Sequence, residues 1–220
     1  MAARRRAGYV SRFMELTTTT SDYDLLRLVL AGDEDAFTSL YRRRQGGIYR
    51  FALQMSGSRT IAEDVTQEVF MTIVRDGTGY DPARGSLSAY MYGMARNHVL
   101  RRLERERLFV PFADAEDEQE SAATARLIAE TDPLADLTRN EMIEAVRGAV
   151  LALPAHYREA VVLCDLHEMS YAEAAEVVGC AVGTIRSRLH RARALLVEKL
   201  RANGNRGSAS QTANPVRCFA

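Results

Sequence analysis

Apolar residues recur every three to four positions through most of this chain, and no stretch alternates apolar with polar. A 3.6-residue period buries one face of a helix, whereas alternation buries one face of a strand. The pattern therefore predicts an all-α protein. Ser21 with Asp24 caps a helix from Asp22 to about Leu30. Gly32-Asp33 breaks it, and a second helix from about Glu34 carries Phe37, Leu40, Tyr41, Ile48, Phe51, Ala52 and Met55. Gly46-Gly47 is a place where that helix could kink. Thr60 and Glu63 have capping-box spacing and open a third helix to about Arg75. Asp76 to Gly85, with three glycines and a proline, reads as a loop. A fourth helix runs from Ser86 to about Arg107.

The pattern then weakens. Residues 110–138 are acidic, hold two prolines and show little periodicity, so they read as a linker, with a short helix near Ala122–Ala129. Periodicity resumes over Asn140–Ala152, Ala155–Leu166, Tyr171–Val178 and Gly183–Arg201. The fold class expected is two small helical domains joined by a flexible linker. The divisions are a leader (1–20), a first domain (21–108), the linker (109–138), a second domain (139–201) and a disordered tail (202–220) rich in Gly, Asn and Ser.

The last two helices form a helix-turn-helix. Ser170 and Glu173 make a capping box, and Gly179 suits the left-handed residue that ends a helix. In the second helix Ile185, Leu189, Ala192 and Leu196 share the face that meets a core. Gly183, Ser187, His190, Arg191 and Ala194 share the opposite face, flanked by Thr184, Arg186 and Arg188. Small residues at the centre let backbone approach a groove, and arginines at the flanks reach phosphates and base edges.

Composition first argues against that reading, because the formal net charge is zero. The distribution reverses the argument: the acidic run 114–120 offsets basic helices, and Lys199 is the only lysine, so nearly all positive charge is arginine. The arginine fork suits phosphates and guanine edges. No apolar run nears the ~20 residues of a membrane span, so no membrane insertion is expected. Cys164, Cys180 and Cys218 are too scattered for a disulfide framework and fit a cytoplasmic protein, Cys164 and Cys180 as packing residues. His156, His167, Glu168 and His190 lack metal-ligand spacing, so no metal or other cofactor is expected.

In the fourth helix Tyr90, Met94, Asn97 and Arg101 form a stripe beside the core stripe Leu87, Met91 and His98. An aromatic ring, an amide and a guanidinium in line suit single-stranded DNA, since rings stack on bases and amides read exposed edges. Arg96, Arg102, Arg105 and Arg107 are expected to meet phosphates or solvent. In the third helix Asp64, Gln67 and Glu68 share a polar face opposite Val65, Val69 and Ile73.

Three segments carry a family resemblance. Leu153 to Val161 with the helix-turn-helix resembles domain four of bacterial sigma factors, Ala62 to Phe70 the polymerase-binding helix of domain two, and Tyr80 to Leu87 with Tyr90 to His98 its promoter-melting part. With no room for a third domain between them, the resemblance is to the extracytoplasmic-function class. It implies a non-enzymatic transcription factor whose partners are core RNA polymerase, promoter DNA and an anti-sigma factor. Thr184, Arg186, Ser187, Arg188, His190 and Arg191 would read the minus-thirty-five element; Tyr80, Tyr90, Asn97 and Arg101 the minus-ten element; Asp64, Gln67 and Glu68 would meet the polymerase clamp helices. Tyr90 stands where many relatives carry tryptophan, and Cys164 where many carry arginine. It further implies that the acidic linker could mimic a nucleic-acid strand. A stand-alone helix-turn-helix regulator is the alternative, but it needs a dimer interface or ligand pocket that the first half does not suggest. An enzyme acting on DNA would need a nucleophile or a carboxylate metal cluster, and the acids here sit on helix faces or in the linker.

Overall fold

The structure is a computed structural model that describes residues 20–109 and 133–210, with side chains described for 20–105 and 140–201. The leader to residue 19, the acidic linker 110–132 and the tail from residue 211 lie outside the described residues. What is described is helical, without a strand.

Helix α1 spans Asp22–Leu30, where the Ser21 hydroxyl accepts from the Asp24 amide at 3.1 Å. Helix α2 spans Glu34–Ser56, capped by the Asp33 carboxylate, and passes Gly46-Gly47 without a break. Beyond these glycines Ile48, Phe51, Ala52 and Met55, all at most 1 % exposed, hold the helix against the core. Gly57 then turns left-handed (φ 76°), which leaves Ser58 extended. Its hydroxyl accepts from the Ile61 amide, so Ser58 rather than Thr60 caps α3, Arg59–Asp76. The loop after α3 contains two short 3-10 turns, Gly77–Gly79 and Pro82–Arg84. Helix α4 follows, Leu87–Phe109, with the Ser86 hydroxyl accepting from the Ala89 amide.

The second half begins earlier than its periodicity suggests. Helix α5 spans Pro133–Leu151, with proline in the first turn, where a missing N–H costs nothing. Helix α6, Ala155–Val161, continues as a π-turn over Val162–Leu166, so the expected single α-helix widens by a residue before His167. Helix α7 is Tyr171–Val178 and α8 is Val182–Ser210, nine residues longer than the predicted Gly183–Arg201 at its end.

The two halves are not held apart. Leu25, Leu40, Phe51, Ile73 and Met91 belong to the same contiguous buried cluster as Leu153, Leu163, Ile185 and Leu189. Helix α7 packs along α4, and α5 with α6 lean on α2.

Candidate nucleic-acid interface

The helix-turn-helix is built by local chemistry. Ser170 accepts from the Glu173 amide while the Glu173 carboxylate accepts from the Ser170 amide at 2.9 Å and its hydroxyl at 2.7 Å. These bonds hold the Glu173 carboxyl below its ordinary pKa. Gly179 is left-handed (φ 72°), and the chain re-enters helix at Val182. Ile185, Leu189 and Ala192 are at most 1 % exposed. Gly183, Arg186, Ser187, His190, Arg191 and Ala194 are exposed, and Thr184 and Arg188 are half-buried. The Ser187 hydroxyl donates to the Thr184 carbonyl at 3.0 Å. Arg193, which the sequence pattern did not single out, pairs with Asp165 at 2.5 Å and ties α8 to the π-turn.

The second surface lies where α4 begins. Tyr80 and Tyr90 approach with ring centres 5.5 Å apart, and Tyr23 of α1 stands 6.1 Å from Tyr80. The Tyr80 hydroxyl donates to the Gly85 carbonyl at 2.9 Å, closing the loop over itself. Burial, then the neighbouring Tyr23, pushes the Tyr80 phenol up. Beside these rings a cleft of about 360 Å³ is lined by Asp22, Tyr23, Arg44, Tyr80, Ser86, Leu87 and Ser88. Arg44 bridges Asp22 (Nε at 2.6 Å) and the Ser88 hydroxyl (3.2 Å). Asn97 and Arg101 are exposed on the same helix, ~10 and ~16 Å of helical rise beyond Tyr90. The loop therefore pairs with Tyr90 and not with Asn97. Tyr90 itself is half-buried and packs on the core.

The α3 face is only partly open. Arg102 of α4 reaches Asp64 at 2.7 Å and Glu68 at 3.0 Å, and His98 reaches Glu68 at 2.7 Å. His98 therefore is not a core residue. Leu87, Met91, Ala95 and Val99, at most 3 % exposed, form the buried stripe instead. Arg96 and Arg102 likewise leave the set expected to meet phosphates or solvent: both are committed to carboxylates. What α3 leaves open is Glu63 and Gln67, then Met71 (61 % exposed) and Val74 (50 % exposed).

Comparison with known proteins decides what this pair of surfaces belongs to. Residues 40–109 match the family model for sigma-70 region 2, and residues 143–196 that for sigma-70 region 4. The chain is 34% identical over 181 residues to the extracytoplasmic-function RNA polymerase sigma factor SigM of Mycobacterium tuberculosis, covering 82% of this chain and 85% of that protein. It belongs to the sigma-70 family. The chain is also 32% identical to the sigma factor SigE of Mycolicibacterium smegmatis over 77% of its own length, although it spans only 64% of SigE. Among solved structures, CnrH in complex with the cytosolic domain of CnrY aligns with TM-score 0.61 and 25% identity, over 83% of this chain and 99% of that one. The sigma factor RpoE of Bartonella quintana, in complex with the anti-sigma factor NepR, aligns with TM-score 0.58 and 26% identity, over 75% and 96%.

As an extracytoplasmic-function sigma factor, the protein directs promoter-specific transcription initiation and is not an enzyme. Among the described residues no cluster of ligating side chains could hold a metal, and no helix is long and apolar enough to cross a membrane. Tyr23 and Arg44, missed from the sequence, and Arg102, assigned there to phosphates or solvent, reach their partners across 22 or more positions of chain, and no local pattern marks such contacts.

Proposed function

We propose that the exposed face of α8 reads the minus-thirty-five element, with Arg186 and Arg191 on base edges and phosphates and Thr184, Ser187, Arg188 and His190 beside them. The tyrosine cleft at the start of α4, with Asn97 and Arg101 farther along, captures an unpaired base of the minus-ten element and guides the single strand. The observation that carries this assignment is the opposition of the two faces of α8: Ile185, Leu189 and Ala192 are buried, and Gly183, Arg186, Ser187, His190 and Arg191 are exposed, with Thr184 and Arg188 half-buried between. The tyrosine rings beside a cleft support the second part, because stacking on aromatic rings holds an unpaired base at ~1–3 kcal/mol per base.

Core polymerase docks on α3, through Gln67 with Glu63, Met71 and Val74. Asp64 and Glu68 act there as a charged shoulder set by Arg102. A mixed row of polar and apolar side chains suits a helix-to-helix contact. The protein works in the cytoplasm, and the solved likeness to a sigma factor held by an anti-sigma factor supports an inhibitor protein of that kind for this chain.

Transcription by core polymerase with this protein, on matched and mismatched templates, tests the assignment. Tyr90→Ala and Asn97→Ala slow open-complex formation on duplex DNA and recover on a template mismatched at the minus-ten region. Equal defects on both templates would move these residues to general DNA positioning.

A further inference from the structure

The cleft beside the tyrosine rings has a wall that the stripe on α4 does not supply. Tyr23 of α1 and Arg44 of α2 line it, with Ser86 and Ser88 from the start of α4. The Tyr80 ring approaches both sides, 5.5 Å from Tyr90 and 6.1 Å from Tyr23. Helix α1 lies ahead of residues 40–109, the stretch that matches sigma-70 region 2, so Tyr23 reaches the cleft from outside that match.

This wall carries an excess of positive charge. Asp22 is the one acid among the described lining residues, and two guanidinium groups share its carboxylate. Arg43 meets it at 2.7 Å, and Arg44 meets it through Nε at 2.6 Å and through Nη2. The Asp22 side chain is 12 % exposed, so little of it is left to repel a bound anion. Arg44 also donates to the Ser88 hydroxyl at 3.2 Å, and its side chain remains 32 % exposed. A guanidinium has more N–H groups than these contacts use. Both serines act here as acceptors: Ser86 Oγ from the Ala89 amide at 3.1 Å, and Ser88 Oγ from Arg44. Each hydroxyl keeps its own proton to donate. Tyr23, 42 % exposed, presents its ring to solvent.

A cation with hydroxyl donors beside it fits an oxygen anion. Aromatic rings fit the face of a base. A volume of about 360 Å³ lies within the range of small-molecule sites. Together these match one nucleotide of a single strand, base and phosphate. In a duplex the base is held in the stack and cannot meet the rings.

We propose that Tyr23, Arg44, Ser86 and Ser88 form a nucleotide subsite for the unpaired minus-ten strand, in which Tyr23 and Tyr80 hold the base and Arg44 with the two serines holds the phosphate. The proposal deepens the base capture argued above and rests on it. It gives α1 and α2 a part in opening the promoter. The phosphate half of the subsite responds to an unpaired strand whatever its sequence, since phosphate contacts carry no base information.

Open-complex formation by core polymerase with the full chain tests it, on promoter DNA whose minus-ten phosphates are replaced one at a time by neutral methylphosphonates. For the wild type, one replacement should slow opening about tenfold, as expected for a lost charge-assisted hydrogen bond. Arg44→Lys and Ser88→Ala should be slower on ordinary DNA and insensitive to that same replacement, because the contact is already broken. Tyr23→Ala should slow opening about fivefold or more through lost stacking, and Tyr23→Phe should open as the wild type does. If Arg44→Lys does not fold, Tyr23→Ala on the surface and Ser88→Ala still decide the matter. The subsite is overturned if Tyr23→Ala opens at the wild-type rate. It is equally overturned if no replacement slows the wild type, or if folded Arg44 and Ser88 variants stay fully sensitive to it. Tyr90→Ala is measured alongside. A defect there that recovers on a mismatched template keeps base capture even when the subsite fails, whereas normal opening by Tyr90→Ala removes base capture and the subsite with it.

Discussion

At the scale of single residues, the environment of each side chain changes what its chemistry can do. Burial, with Arg50 nearby, lowers the His167 pKa to about 4. Its ring meets Tyr92 from α4 and Gln54 from α2, and neither supplies a negative charge to stabilise a proton. The undocked ring titrates near 6.5, so protonation favours the undocked chain. Docking is at full strength above about pH 6.5 and weakens as pH falls from there toward 4. The thermal midpoint of the wild type should therefore fall between pH 7 and 5.5 more steeply than that of His167→Gln. Parallel curves would show that the ring does not report on docking. On α8, Arg186→Ala and Arg191→Ala should each weaken promoter binding and reduce its salt dependence by up to about one unit of slope if the side chain meets a phosphate. A guanine contact instead costs ~1–3 kcal/mol of selectivity at one position. Neither change should alter core binding, and unchanged upstream selectivity together with an unchanged salt slope in both variants would sink the assignment.

At the scale of elements, helix ends and faces follow from signals a few residues long. The caps at Ser21 and Ser170, the left-handed Gly179 and the split faces of α8 were all legible, because each depends on neighbours within one turn. Thr60 misled because the spacing S/T-x-x-E fits it, while the choice of cap was made by Gly57 ending α2 upstream. Ser170→Ala should cost roughly 1 kcal/mol, read as a lower denaturation midpoint, with Glu173→Ala costing part of the same amount. On α3, the polar face looked free in the sequence, yet Arg102 occupies Asp64 and Glu68 from 38 and 34 residues away. Gln67→Arg should consequently weaken competition for core polymerase while leaving the thermal midpoint unchanged. Arg102→Ala should lower stability by less than about 1 kcal/mol, since the pairs are half-exposed. If Gln67→Arg competes as well as wild type, α3 does not carry the contact.

At the scale of the whole molecule, the two helical halves expected from the sequence are present, and their buried side chains meet in one contiguous cluster. Nothing in the composition marks this, because the bonds that join the halves link residues as far apart as Met55 and Arg158, 103 positions. Halves that share buried side chains should unfold together, so calorimetry of the free chain should give a single transition at neutral pH. Two resolved transitions would mean that the shared core adds little. The π-turn gives this union a dependence on chain length alone. With one residue fewer between Val162 and Leu166, the turn would close as ordinary α-helix, and everything beyond it would rotate by about 100° and retract by about 1.5 Å. His167 would then leave Tyr92 and Gln54, and the cap, the turn and the outward face of α8 would travel unchanged. Relatives that differ by a single deletion there would keep the same helix-turn-helix and differ only in how it sits on the first half.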